Sequence, residues 1–279
     1  MAINNMLTLE NNYIAVDIDE IYGGKITRLE NKISKYDWVW FDNKKSKEFK
    51  PLEYSDYDSQ WIGGYEELFP NDKIENLDGS LAPDHGELWS STWQVINSKK
   101  DYLHLQCKGY FSNSTINKIF ELNQKKIKVS YKIDNIKLTK YLFKLHLAMP
   151  INNSNINFKF DKFKKVDENF GNIILSDDPY RFLNNVSKNQ SSNDFAYFYG
   201  NDGVVEVIDG NNKFSLSYDN ISLPYFWIFQ SRGGWNNLNV NVLEPCNSGL
   251  KDLADAVKSD LIYLPKSNNY KTWYTIEVT

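Results

Sequence analysis

The chain is poor in the residues on which many binding and catalytic chemistries depend. It holds two cysteines, Cys107 and Cys246, and three histidines in 279 residues. Two widely separated cysteines give neither a metal-ligand spacing nor a disulfide framework. One bridge between them stays open, but free thiols in a reducing compartment are the simpler expectation. No basic excess exists either. Lys and Arg number 32 against 36 Asp and Glu, for a net charge of −4, so nothing is left over to neutralise a phosphate backbone, and nucleic acid is not an expected partner. The basic-looking run at 123–128 (Asn-Gln-Lys-Lys-Ile-Lys) alternates into a strand and reads as a solvated face. No apolar run approaches the roughly 18 residues that span a bilayer, so no membrane association is expected. The first 20 residues lack a basic segment followed by an apolar core. No signal peptide is therefore expected, and the expected location is cytoplasmic. No composition shift, linker or internal repeat divides the chain, which reads as one domain over 1–279.

Aromatic residues, in contrast, are abundant: 18 Tyr, 16 Phe and 8 Trp make up 15 % of the chain. They suit sheets, and they also form the half-apolar platforms on which sugar rings stack. Period-two alternation recurs at 13–18, 102–107, 118–122, 126–133, 204–208, 214–218, 238–243 and 272–278. Asp-Gly-Asn-Asn at 209–212 predicts a hairpin turn. The one helical pattern is 249–258, with Leu250, Leu253, Ala254 and Val257 on one face. The stretch 187–194 (Ser-Lys-Asn-Gln-Ser-Ser-Asn-Asp) reads as a long polar loop. Many short strands with turns at close spacing imply one antiparallel sandwich or barrel.

Candidate chemistry starts from the histidines. His104 shares a strand face with Tyr102 and Gln106 and reads as structural. His85 lies in a polar turn, Pro-Asp-His-Gly-Glu-Leu-Trp at 83–89, where Gly86 frees the backbone. His146 lies in Lys-Leu-His-Leu-Ala-Met-Pro at 144–150. Lys144, His146 and Ala148 fall on one face and Leu145, Leu147 and Met149 on the other. With the apolar face on a core, the histidine face opens on solvent or on a cleft. Glu244 closes an alternating strand before Pro245, which ends pairing; alone, it reads equally as a surface carboxylate. Two further segments stand out: Trp-Ile-Gly-Gly-Tyr-Glu-Glu-Leu-Phe-Pro-Asn at 61–71, and the aromatic strand with a Gly-rich turn at 223–235, which holds Trp227 and Arg232. The Gly pair at 23–24 has no following Gly-Lys-Ser/Thr or helix pattern, which excludes a phosphate loop.

In this order, the segments at 21–29, 63–70, 83–89, around His146, 223–245 and 264–278 resemble the aldose 1-epimerase (galactose mutarotase-like) family over nearly the whole chain. The resemblance implies an all-β supersandwich of large antiparallel sheets with few short helices, and a sugar-binding cleft across one sheet. It implies Glu244 as the base on the anomeric hydroxyl and His146 as the acid on the ring oxygen. His85 would hydrogen-bond sugar hydroxyls, and no metal or cofactor would be needed. The family's early Asn-Arg pair is replaced here by Gly-Tyr-Glu-Glu, so Glu67 is expected to face the sugar, with Trp227 and Arg232 as further binding residues. Arg181, Arg232 and Lys144 form no compelling phosphate cluster, which favours a neutral or amine-bearing sugar over a hexose 6-phosphate. The expected partner is thus a small sugar, with the protein a monomer or homodimer. A non-catalytic sugar-binding module on the same scaffold, and a polysaccharide lyase or hydrolase relative, are the competing readings.

Overall fold

The structure is a computed structural model that describes residues 6–47, 51–152, 154–166, 173, 174, 179, 183 and 192–279. Arg181 and residues 187–191 of the expected polar loop lie outside the described residues. Residues 192–194 of that stretch open the strand Ser192–Tyr199 instead of continuing a loop.

Among the described residues, two large antiparallel sheets dominate. One has eleven strands. Its middle runs Lys25–Asn31, Tyr65–Leu68, Lys144–Pro150, Asn239–Cys246, Tyr225–Arg232 and Ser192–Tyr199 as neighbours. The other has eight strands, with Lys126–Asp134 between Tyr270–Val278 and Thr115–Asn123 near its centre. The alternation that marks these strands sets their faces. In Lys126–Asp134, Ile127, Val129, Tyr131 and Ile133 are buried while Lys126 and Lys128 are exposed. The inward residues of both sheets meet in one core that includes Leu145, Leu147, Met149, Phe120, Val129 and Ile276. The hairpin at Asp209–Asn212 forms as expected, with Gly210 at φ 57°.

The larger sheet is covered on its second face as well. Lys144–Pro150 and Asn239–Cys246 are buried at almost every position. A smaller apolar cluster there joins Ala148, Val242, Phe195 and Trp227 to Tyr57, Trp61 and Trp89 from outside the sheets. Strands buried on both faces lose the clean apolar-polar alternation of a solvated sheet. Short helices lie among the loops. Tyr57–Gln60 is capped by Asp56, whose side chain accepts from Ser59 N at 2.7 Å. Leu253–Lys258 is capped by Asp252. This second helix corrects the expected pattern: the cap starts it after Leu250, and its buried residues are Leu253 and Ala256, with Val257 47 % exposed. No helix among the described residues is long and apolar enough to cross a membrane.

Both cysteines are buried free thiols. Cys107 belongs to the core between the sheets and Cys246 to the cluster on the far face, so the larger sheet separates them.

Candidate active site

Four neighbouring strands of the large sheet bring titratable residues into one row. Glu66 is the cross-strand partner of His146. Lys144 pairs with Cys246 and Leu147 with Leu243, a register that sets His146 opposite Glu244. Ile26 pairs with Tyr65, which carries the row back to Lys25 beside Glu66. Lys25, Glu66, His146 and Glu244 therefore line up across four strands on the face away from the inter-sheet core. Directly opposed side chains in a sheet are close enough to interact. His146 Nε2 lies 3.4 Å from Glu244 Oε1, and His146 Nδ1 lies 3.8 Å from Glu66 Oε1.

A cavity of about 240 Å³ opens on this row. It is smaller than the roughly 300–1,000 Å³ of pockets for drug-sized ligands, a size that suits a single small polar molecule. His146, Glu244, Lys144 and Asp72 line its floor, and Trp61, Trp235, Phe229 and Phe195 give it aromatic walls. His85 and Tyr57 complete one side, with their rings stacked at 3.9 Å and 13°. Asp58 and Lys251 also line it.

The loops around the cavity are held by local bonds. His85 sits at φ 55° and Gly86 at φ 74°. A Cβ on Gly86 would fall 2.2 Å from the Phe69 carbonyl oxygen, so only glycine passes there. The chain on either side is tied down: Glu87 N donates to Phe69 O at 2.7 Å, and His85 N donates to Asp72 O at 3.1 Å. Asn71 Nδ2 donates to Pro83 O at 2.6 Å. Asp84 binds both His85 Nδ1, at 2.8 Å, and Tyr57 N, at 2.9 Å.

The buried charges are compensated in pairs. Lys144 Nζ donates to Asp72 Oδ1 and, at 3.0 Å, to Glu244 Oε2. Lys251 Nζ lies 3.5 Å from the other Asp72 oxygen. Burial works against the Asp72 charge, but Lys144 and Lys251 outweigh it and hold the carboxyl far below its usual range. Burial likewise disfavours the Lys144 charge, and Asp72 and Glu244 together raise its pKa regardless. Glu244 is left with the weaker share of this lysine. Burial pushes its carboxyl up to about 7 against the pull of Lys144. Burial, reinforced by Lys144 and His85, holds His146 well below its ordinary 6.5. Near neutral pH Glu244 is thus the more basic member of the Glu244–His146 pair and the one that exchanges a proton with solvent.

Of the residues singled out in the sequence, the cavity brings together Glu244, His146 and His85. Three others lie elsewhere. Glu67 does not face the cavity. It is the neighbour of Glu66 on a strand, so its side chain takes the opposite face and enters the inter-sheet core. There Lys118 Nζ binds both its oxygens, at 2.7 and 2.8 Å, and Tyr131 OH donates to Oε1. Trp227 points to the cavity side but is fully covered: Lys144 Nζ sits 4.7 Å above its ring and Phe195 packs on its edge. It is a floor beneath the cavity lining. Arg232 shares the strand face of Ile228, opposite to cavity-lining Phe229, and donates to Gln230 at 3.3 Å. His104 bonds Asn117 at 2.9 Å on the outer face of the eight-stranded sheet. Sequence reasoning missed Glu66, Asp72, Tyr57 and Trp235 as site residues. For Trp235 a signal existed, since it ends the Gly-rich turn at 233–235 already marked as unusual.

No protein-family model matches the chain, and no curated protein matches it. Solved structures do. The Slr1438 protein from Synechocystis sp. PCC 6803 is similar with a TM-score of 0.74 at 15 % identity, covering 98 % of this chain and 95 % of that one. A protein provisionally named an aldose 1-epimerase, from Escherichia coli K12, is similar with a TM-score of 0.73 at 15 % identity, covering 99 % of each chain. A galactose mutarotase-like protein from Lactobacillus casei ATCC 334 has a TM-score of 0.65 at 14 % identity, over 98 % and 99 %. The fold is therefore that of the galactose mutarotase-like proteins, the fold expected from the ordered segments.

Proposed function

We propose that this protein is an aldose 1-epimerase that interconverts the α and β anomers of a free sugar in this cavity. The observation that carries the reading is the placement of His146 and Glu244 as cross-strand neighbours, 3.4 Å apart, both lining one cavity with aromatic walls. Mutarotation needs one base and one acid around a neutral hemiacetal, and a proton-sharing pair meets that need. Glu244 takes the proton of the anomeric hydroxyl while His146 protonates the ring oxygen. The bond from C1 to the ring oxygen breaks, leaving an open-chain aldehyde. Rotation about C1–C2 presents the other carbonyl face, and both transfers reverse. The form with the proton on His146 has the same net charge as the form with it on Glu244, so the pair is armed without a proton from solvent. His85 and the aromatic walls position the sugar. Lys144 and Lys251 are engaged with Asp72 and Glu244, which favours an uncharged sugar over a hexose 6-phosphate.

Polarimetry tests this on freshly dissolved α-D-glucose and α-D-galactose. The wild type should speed equilibration, and Glu244→Gln and His146→Gln should each lose roughly 10²–10⁴-fold of the rate. A wild type that accelerates no aldose, yet binds one by calorimetry with an affinity unchanged in Glu244→Gln, selects the non-catalytic sugar-binding module instead.

A further inference from the structure

Behind the cavity lining, beside His146, lies a buried carboxyl group that the mechanism above leaves unused. Glu66 is 0 % exposed and lies on the far side of His146 from Glu244. Its Oε2 accepts from Lys25 Nζ. Its Oε1 accepts from Tyr57 OH at 2.6 Å and from Trp61 Nε1 at 3.2 Å. With three donors on it, Glu66 acts as a carboxylate and acceptor only. The single hydroxyl hydrogen of Tyr57 is therefore committed to Glu66. The same hydroxyl oxygen lies 3.4 Å from His146 Nδ1. A hydroxyl whose hydrogen is committed faces a ring nitrogen only as an acceptor, so the hydrogen in that contact belongs to Nδ1. Glu66 Oε1, 3.8 Å from the same nitrogen, also favours a donor there. Nε2 then carries the lone pair, and it is the nitrogen that faces Glu244.

We propose that Tyr57, oriented by Glu66, is a positioning residue that locks neutral His146 in the Nδ1–H tautomer, so that Nε2 takes and returns the mobile proton. This rests on the proposed epimerase reading of the site. A neutral imidazole has two tautomers, and the partner of one nitrogen decides the role of the other. Tyr57 is held rigidly for this purpose. Its ring stacks on His85, meets Trp89 edge-on at 5.1 Å, and its backbone N is bonded to Asp84. Burial, then the Glu66 charge, keep its hydroxyl protonated well above the ordinary range. The groups acting on the His146 ring are Glu66 and Tyr57 on one side and Glu244 and Lys144 on the other, with His85, Asp72 and Lys25 beyond them.

Long-range ¹H–¹⁵N correlation spectra of the three histidines test the lock, with His85→Gln and His104→Gln used to assign the other two rings. In the wild type near pH 7, His146 should show a protonated Nδ1 and a lone-pair Nε2. In Tyr57→Phe that pattern should give way to a mixture of tautomers or to Nε2–H. The kcat for anomer exchange should fall roughly 10–100-fold, with KM changed by less than about threefold, and the pH profile should move. A wild-type His146 that carries its hydrogen on Nε2, or a Tyr57→Phe variant with an unaltered tautomer, overturns the proposal. Should Tyr57→Phe not fold, the wild-type spectrum decides alone. The two readings fail separately: the expected tautomers without epimerase activity refute the function and support the lock, while activity with the wrong tautomer does the reverse.

Discussion

Glu244 makes a sharp test because its proposed role and its cost to the fold are set by the same burial. It is 2 % exposed, and burial lifts its pKa from an ordinary 4.5 to about 7. A group whose folded pKa lies above its unfolded one holds its proton more tightly in the folded state. Its contribution to stability is complete below the unfolded pKa and is lost as pH rises through the folded one. The span from 4.5 to about 7, at about 1.4 kcal/mol per pH unit, amounts to about 3 kcal/mol. Glutamine has the same shape and does not titrate. The stability of Glu244→Gln relative to wild type should therefore climb by about 3 kcal/mol between pH 4.5 and pH 8, while anomer exchange is lost. In a chain of this size that is a gain of roughly 5 °C in Tm. Urea denaturation of both proteins at both pH values, followed by tryptophan fluorescence, measures the difference. Titrating groups remote from Glu244 cancel in the comparison. A gap that stays constant or narrows with pH refutes the reasoning: it would mean that Lys144, 3.0 Å away, keeps Glu244 ionised throughout.

Three further outcomes follow from the placement of residues away from the cavity floor. Lys118→Met strands the Glu67 carboxylate in the inter-sheet core with only Tyr131 on it, and should cost about 3–5 kcal/mol by urea denaturation; the double variant Lys118→Met/Glu67→Met should recover most of that loss. Gly86→Ala forces a side chain onto a φ of 74° and against the Phe69 carbonyl; it should cost about 1–3 kcal/mol and raise KM for the sugar more than it lowers kcat, because His85 moves with its loop. Arg232→Ala, on the opposite strand face from the cavity, should leave kcat and KM unchanged in polarimetric assays.

The sheets were legible because strand alternation reports the face of every residue once one face is known to be apolar. Leu145, Leu147 and Met149 identify the core side of their strand, and the side of Lys144 and His146 follows. The same logic correctly put Lys126 and Lys128 in solvent. It misjudged the helix at 249–258, since the periodicity of Leu250, Leu253, Ala254 and Val257 takes no account of Asp252. That residue bonds Asp255 N and starts the helix one turn later.

The site was legible only in part, for two physical reasons. The first is parity. In Tyr-Glu-Glu-Leu at 65–68 both end residues are apolar, and they lie on opposite faces, so alternation gives no way to choose which glutamate faces the cavity. Tyr65 goes to the inter-sheet core with Glu67, and Leu68 to the cavity side with Glu66. A slip of one residue would exchange the two carboxylates. The second is pairing between distant strands. Glu66, His146 and Glu244 meet because three strands far apart in sequence are neighbours in the sheet with one particular register, and nothing local to any of them announces the others. The same register explains how so much charge is tolerated there. Each carboxylate of the row has a lysine within bonding distance, Lys25 for Glu66 and Lys144 for Glu244, whereas His146 has none and is held neutral by its burial. The member of the row with no lysine on it is thus the imidazole, 3.4 Å from the Glu244 carboxyl and 3.8 Å from that of Glu66, and that is where a proton can be passed along the row.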